Sequence, residues 1–227
     1  MSKPSAAVLI SGSGTNLQAF IDEVAAGQLD LDLSVVLSNR PDAAGLERAR
    51  QANVNVECIR HQEYPQRELF YAALVETLDK YQPDLIILAG FMRILTNTFV
   101  IHFSGRVLNI HPSLLPKFPG LDTHQRAIDA GEKWHGSTVH FVTEELDGGP
   151  AIIQGRVPVM PDDSATELAS RVLAVEHRIY PEAARLFAAD RIKCRDGSTW
   201  LDGKRLTEPL QYRGSDPGSD PGSDPII

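Results

Sequence analysis

Asp84-Leu-Ile-Ile-Leu-Ala89 decides the fold reading. Nearly every residue in it is apolar, so it lacks the alternation of a strand with one wet face. Such a strand is covered on both sides, as the central strands of parallel sheets are. Outward from it, short apolar runs alternate with helical periods. Ala6–Ser11 is a strand ending at Gly12, and Thr15–Ala26 follows as a helix with Leu17, Phe20, Ile21 and Val24 on one stripe. Leu33–Leu37 and Val54–Ile59 read as strands, Ala43–Ala52 and Arg67–Tyr81 as helices, and Arg106–Ile110 as the fifth strand. This order predicts an α/β fold with a doubly wound, mostly parallel sheet.

Beyond His111 the pattern changes. The stretch 111–122 carries three prolines and predicts a loop, and Thr123–Gly131 a short helix. Thr138–Thr143 and Ala151–Val159 read as strands joined by the turn Glu145-Leu-Asp-Gly-Gly-Pro150. Ser164–Ala189 is a long amphipathic helix that Pro181 is expected to kink. Asp202-Gly203 signals a hairpin within Thr199–Leu206. We therefore expect one domain over residues 1–213 with an antiparallel C-terminal extension. Gly214–Pro225 is Gly-Ser-Asp-Pro three times over, and 214–227 is expected to be a flexible tail with nothing to bury.

Composition narrows the partners. Hydrophobic residues make up 42 % of the chain, enough for a sizeable core, and no apolar run approaches the ~18 residues of a membrane span. Met1–Ala6 is short and polar, so a cytoplasmic protein is expected. The net charge of -8 is scattered, which argues against nucleic acid but not against one small phosphate. Cys58 and Cys194 are expected to be reduced thiols.

Four places could carry chemistry. Ser11-Gly-Ser-Gly-Thr-Asn16 joins the first strand to the first helix, where glycines allow close approach and the helix start offers free N–H groups to an anion. A dinucleotide fingerprint would need a third glycine where Leu17 stands, and a P-loop would need Gly-Lys-Ser/Thr. What remains is a monophosphate site or a tight turn capped by Thr15. In the fifth strand, Asn109 and His111 are two apart and share a face at its carboxyl end, where ligands of open α/β sheets bind. A hydrogen-bonded structural pair reads equally well there. Asp147 in Asp-Gly-Gly is, by itself, turn chemistry. His135 and His140 lie five apart with no third ligand nearby, so a metal site lacks support.

Longer segments decide among these. Ile10-Ser-Gly-Ser-Gly-Thr-Asn-Leu-Gln-Ala19, Leu88-Ala-Gly-Phe-Met-Arg-Ile-Leu95, Leu108-Asn-Ile-His-Pro-Ser-Leu-Leu-Pro116 and His135-Gly-Ser-Thr-Val-His-Phe-Val142, followed by Glu145-Leu-Asp-Gly-Gly149, resemble the glycinamide ribonucleotide formyltransferases. The resemblance covers about residues 6–210 and leaves out the repeat tail. It implies transfer of the formyl group of 10-formyltetrahydrofolate, a cosubstrate, to the amine of glycinamide ribonucleotide in de novo purine biosynthesis, without a metal. It implies Asn109, His111 and Asp147 as the catalytic trio. The ribonucleotide falls to Gly14, Thr15, Asn16 and Glu176. The folate falls to Arg67, Met92, Arg93, Ile94, Leu95 and Asn109, with Thr143, Glu144, Glu145, Leu146 and Asp147 meeting the pterin. Both partners are small molecules; neither nucleic acid nor membrane is expected. A homodimer is compatible with the sequence, which leaves the oligomeric state open.

Residue chemistry then suggests roles. The amine attacks as a neutral nucleophile, and negative charge develops on the formyl oxygen. Asn109 and a protonated His111 would donate to that oxygen, each donor worth about 3–4 kcal/mol. An Asp147 carboxylate nearby would favour the imidazolium and carry the amine's proton toward the leaving nitrogen, through water. Ser113 lacks an activating base, and no covalent intermediate is needed. A formyltetrahydrofolate hydrolase, a methionyl-tRNA formyltransferase and a silent folate- or nucleotide-binding module are the alternatives. The hydrolases carry a further N-terminal domain and the tRNA enzymes a further C-terminal one, and an intact trio argues against the silent module.

Overall fold

The computed structural model describes residues 3–212. The repeat tail, and with it the expectation of flexibility there, lies outside the described residues. In chain order the elements are β1 (Ser5–Ile10), α1 (Thr15–Ala25), β2 (Asp32–Ser38), α2 (Ala44–Gln51), β3 (Asn55–Cys58), α3 (Arg67–Tyr81), β4 (Leu85–Leu88), α4 (Asn97–His102), β5 (Val107–His111), α5 (Thr123–Asp129), β6 (Trp134–Phe141), β7 (Ala151–Pro158), α6 (Ala165–Ala188), β8 (Ile192–Arg195), β9 (Ser198–Leu201), β10 (Lys204–Arg205) and β11 (Leu210–Tyr212). A 3-10 turn at His61–Glu63 precedes α3.

The large sheet runs β11-β7-β6-β5-β4-β1-β2-β3, and β10-β9-β8 form a small antiparallel sheet. From β3 to β5 all pairs are parallel. β6 turns antiparallel to β5, and β7 antiparallel to β6. The fold class is thus the one the alternation predicts. Both faces are covered, as the apolar run of β4 requires: Leu85, Ile87 and Ala89 join the core with Leu17, Phe20 and Tyr180, while Ile86 and Leu88 join Phe70, Leu74 and Phe99. Connections leave β1 and β4 in opposite directions along the sheet order, which opens a crevice between their carboxyl ends.

α6 has a capping box, with Ser164 accepting from the Glu167 N–H and the Glu167 carboxylate accepting from the Ser164 N–H. It runs unbroken through Pro181. The ring removes only the bond to the carbonyl one turn back, and flanking Tyr180, Ala183 and Ala184 are packed at 0 % exposure. Tyr180 reaches under the crevice, its hydroxyl 2.9 Å from the Leu108 carbonyl and 3.2 Å from that of Leu88. So α6 fixes the ends of β4 and β5 together.

Some elements escape the sequence reading. α4 is one turn and a half, started by Thr96, whose hydroxyl accepts from the Phe99 N–H. Its apolar residues are too few to show a period. β6 begins at Trp134, four residues before the expected Thr138, because Gly136 passes where any side chain would strike the Gly155 carbonyl and Leu114. β11 returns to pair in parallel with β7, a long-range event with no local signal. The Asp202-Gly203 hairpin forms with positive φ at both residues, as a tight two-residue turn needs.

Candidate active site

The loop after β1 turns on Gly14, at φ 70°, which caps α1 without a side-chain bond, so Thr15 is the first helical residue rather than the cap. The loop is held from behind by α2. Gly45 N–H donates to the Gly12 carbonyl at 3.0 Å, and Arg48 Nε to the Ser13 carbonyl at 2.9 Å. Two glycines make this approach feasible: a Cβ on Gly14 would lie 2.7 Å from Gly45 Cα, and one on Gly45 2.6 Å from Ile10 Cδ1. With its carbonyls drawn outward, the loop leaves the N–H groups at the start of α1 to face the crevice. Thr15, Gln18, Arg48, His177 and Arg178 line an open hollow on the outer side.

Asn16 and Glu176 meet although 160 positions apart, Asn16 Nδ2 donating to Glu176 Oε2 at 2.9 Å. The one proton of Ser137 Oγ is shared between two acceptors, the His111 carbonyl at 2.7 Å and Glu176 Oε1 at 3.1 Å. Glu176 is buried, which raises its pKa, and the bonds from Asn16 and Ser137 pull the other way.

At the end of β5, Asn109 faces a cavity and His111 is buried. His111 Nδ1 is 3.4 Å from Asp147 Oδ2, and its Nε2–H donates to the Phe118 carbonyl at 2.9 Å. Asp147 sits in the left-handed region at φ 53° and also accepts from the Gly120 N–H at 2.9 Å. Two residues on, Gly149 must be glycine, because a side chain there would run into the Phe141 carbonyl. The structure thus brings Asn109, His111 and Asp147 to one spot. It gives His111 a different hydrogen bond from the expected one, because the Nε2 proton is already taken by a backbone carbonyl.

Asn109 is held by His140, which the sequence reading weighed only as a metal ligand. Asn109 Nδ2 is 3.2 Å from His140 Nε2, and His140 Nδ1 is 2.9 Å from the Phe141 carbonyl. A carbonyl only accepts, so Nδ1 carries the proton and Nε2 accepts from Asn109. Burial depresses the His140 pKa, in keeping with a neutral ring. His140 stands directly across the ladder from Asn109, a register that nothing in the sequence displays. His135, one strand position out of phase, points elsewhere: its Nε2 is 3.1 Å from His124 Nδ1, and burial drives its pKa to about 4.

The cavity beside Asn109 measures about 160 Å³, with Leu88, Phe91, Val100 and Val142 as apolar wall. Arg93, Ile94, Leu95 and the run Thr143–Asp147 line it as expected; Met92 and Arg67 do not. Met92 points outward at 74 % exposure. Arg67 starts α3, and its charge, with that of Arg93, reaches Tyr71, whose hydroxyl donates to the Ile94 carbonyl at 3.0 Å. Burial raises the Tyr71 pKa to about 12, and the two arginines oppose the rise. Arg93 is at the cavity and Arg67 lies outside its lining. Residues 142–150 connect β6 to β7; within them Val142 N–H donates to the Val107 carbonyl at 2.9 Å, Gly148 N–H to the Glu145 carbonyl at 3.2 Å, and the Pro150 carbonyl accepts from Phe141 N–H at 3.1 Å, which fixes the course of the run Thr143–Asp147 along the cavity. On its other side Asp147 borders a wider hollow of about 380 Å³ between Pro116 and the C-terminal hairpin. Among the described residues no group of three His, Cys, Asp or Glu could hold a metal ion, and no helix is long and apolar enough to cross a membrane.

Known proteins share this arrangement. The formyl transferase family model matches residues 5–184. The phosphoribosylglycinamide formyltransferase of Escherichia coli (strain K12) is 50 % identical over 199 residues, covering 88 % of this chain and 94 % of that protein. The solved phosphoribosylglycinamide formyltransferase of Coxiella burnetii superposes with a TM-score of 0.87 at 51 % identity, over 90 % of this chain and 96 % of that one. A formyltetrahydrofolate deformylase from Pseudomonas syringae pv. tomato superposes at 0.82 with 27 % identity, over 88 % of this chain and 66 % of that one.

Proposed function

The chain belongs to the formyl transferase family, and on that premise we propose that the spot where Asn109, His111 and Asp147 converge is where it transfers a formyl group. The enzyme moves a formyl group from a folate-derived donor to the amine of glycinamide ribonucleotide, a step of purine biosynthesis. The donor we propose is 10-formyltetrahydrofolate, and the compartment the cytoplasm. The formyltransferase domain is residues 1–213.

One observation carries the assignment. The trio lies between a cavity with an apolar wall of Leu88, Phe91, Val100 and Val142 and a polar end made by Asn16, Glu176 and the glycine loop. The cavity takes a pterin-like heteroaromatic, with Arg93 in its lining to meet a carboxylate. The main-chain N–H groups of Gly14, Thr15 and Asn16 take the phosphate, and the Glu176 carboxylate faces the ribonucleotide. When bound, the folate supplies the formyl carbon and a nitrogen leaving group. Asn109 has one amide hydrogen on His140 and a second left for the formyl oxygen as charge gathers there. His111 contributes positive charge beside it, and donates directly only if its Nε2–H gives up the Phe118 carbonyl. Asp147 accepts the proton that the attacking amine loses and returns it, through water, to the folate nitrogen as the bond from that nitrogen to the formyl carbon breaks.

The test is turnover of 10-formyl-5,8-dideazafolate, followed by absorbance, with and without glycinamide ribonucleotide. Transfer needs both compounds. Release of formate from the folate alone would instead mark a deformylase, the activity of the more distant structural relative.

A further inference from the structure

The crevice between β1 and β4 is bridged by a serine. Ser11, the residue after β1, is 5 % exposed, and Asn39, after β2, is 3 % exposed. Ser11 N–H donates to the Gly90 carbonyl at 3.1 Å, and its hydroxyl accepts from the Met92 N–H at 2.8 Å. The hydroxyl proton goes to Asn39 Oδ1 at 2.6 Å. That leaves Asn39 Nδ2 toward His61 Nδ1, 3.1 Å away. Gly90, at φ 76°, turns the chain between the two clamped groups.

From these contacts we infer that Ser11 and Asn39 are positioning residues for the formyl donor: together they fix the Gly90–Met92 backbone, and so the Arg93–Leu95 wall of the cavity. The inference rests on the reading of that cavity as the donor's. A buried hydroxyl that only filled space would be replaceable by a methyl group, but this one satisfies a main-chain N–H that has left the ladder. Selectivity for the donor follows from the bracing of the neighbouring loop. Gly12 and Ser13 are held by Gly45 and Arg48, bonds that do not involve the Ser11 hydroxyl. Asn39 acts one step back, by pointing that hydroxyl.

The experiment is calorimetric titration of the full-length chain with 10-formyl-5,8-dideazafolate and, separately, with glycinamide ribonucleotide, alongside steady-state kinetics. Ser11→Ala should weaken the folate analogue about tenfold, the equivalent of one hydrogen bond, and raise its KM by a similar factor. Ribonucleotide affinity should stay within about twofold and kcat should change less than KM. Ser11→Thr, which keeps the hydroxyl, should recover most of the loss. Asn39→Leu should shift the same ligand in the same direction, by less. Equal weakening of both ligands, or a fall in melting temperature with affinities intact, would show a merely structural serine and overturn the inference. Wild-type protein that binds the analogue but does not transfer its formyl group to the ribonucleotide would break the functional reading alone, leaving Ser11 to be judged on the binding data. Wild-type protein that does not bind the analogue sinks both.

Discussion

The two ends of the crevice are built from different material. At the glycine loop the groups we assign to the phosphate are main-chain N–H groups, shaped by glycine at 14 and 45 and held from behind by α2. At the end of β5 they are side chains, each oriented by a neighbour: Asn109 by His140, His111 by Phe118 and Asp147, Asp147 by Gly120. The difference separates what mutation can do. A side-chain site can lose its chemistry and keep its fold. A main-chain site cannot be edited without disturbing the structure that shapes it.

The sharpest division concerns turnover. Asp147→Asn keeps the volume and the acceptor for Gly120 but removes the charge beside His111. We expect kcat to fall at least ~10²-fold with the melting temperature within a few degrees, and His111→Ala to cost a similar factor. Near-normal turnover in either purified variant would remove the trio from the mechanism.

At the opposite end the glycine loop should answer through stability. Gly14→Ala puts a Cβ at φ 70° and 2.7 Å from Gly45 Cα. The strain should cost about 2 kcal/mol of folding free energy, seen as a lower denaturation midpoint along with weaker ribonucleotide binding. A variant with normal stability and selectively lost binding would erase the contrast between the two ends.

These two ends were also unequally legible in the sequence. Ser-Gly-Ser-Gly-Thr-Asn advertises a strand-to-helix turn open to an anion, and the structure adds only its bracing by Gly45 and Arg48. Asn109 and His111 on one face of a strand follow from period-two geometry. That Asp147 joins them does not, because a turn residue 36 positions further on reaches His111 only through a hairpin whose register is a tertiary property. Its assignment rested on resemblance. The contacts of His140, Ser11 and Asn39 stayed hidden for the same reason: each residue matters through a partner in another element. The α/β order was legible throughout, since each strand and helix announces its own period; α4 and β11, being short, did not.

A smaller effect tests the bracing. Arg48→Ala removes the Nε bond to the Ser13 carbonyl and the contact with Gln18. A charged hydrogen bond of this kind corresponds to about tenfold in ribonucleotide KM, with donor KM unchanged. If both KM values move together, α2 supports the whole crevice rather than one end.

The smallest effect is one of pH. His135 is buried and its pKa lies near 4 in the fold against about 6.5 unfolded. A histidine with a depressed pKa is neutral in the native state, so its contribution is present above pH 6.5 and is lost as the pH falls toward 4, where the unfolded chain binds the extra proton. His124 and His140 are shifted in the same direction. Unfolding free energies from urea titrations at pH 7.5 and 5.5 should differ by about 1 kcal/mol on account of His135, and His135→Gln should narrow the gap. A gap that His135→Gln leaves unaltered would assign the pH response to other groups.

The Asn16–Glu176 bond has a consequence in time. Its two partners are separated by 160 positions, so on a ribosome Asn16 emerges long before Glu176 exists. Chains are made at roughly 5–20 residues per second and fold from the amino end as they appear. For about 8–30 seconds a nascent chain can present the glycine loop without the carboxylate that completes the ribonucleotide end. Under the assignment proposed above, the unfinished enzyme carries half of a binding site until α6 has been synthesised and docked.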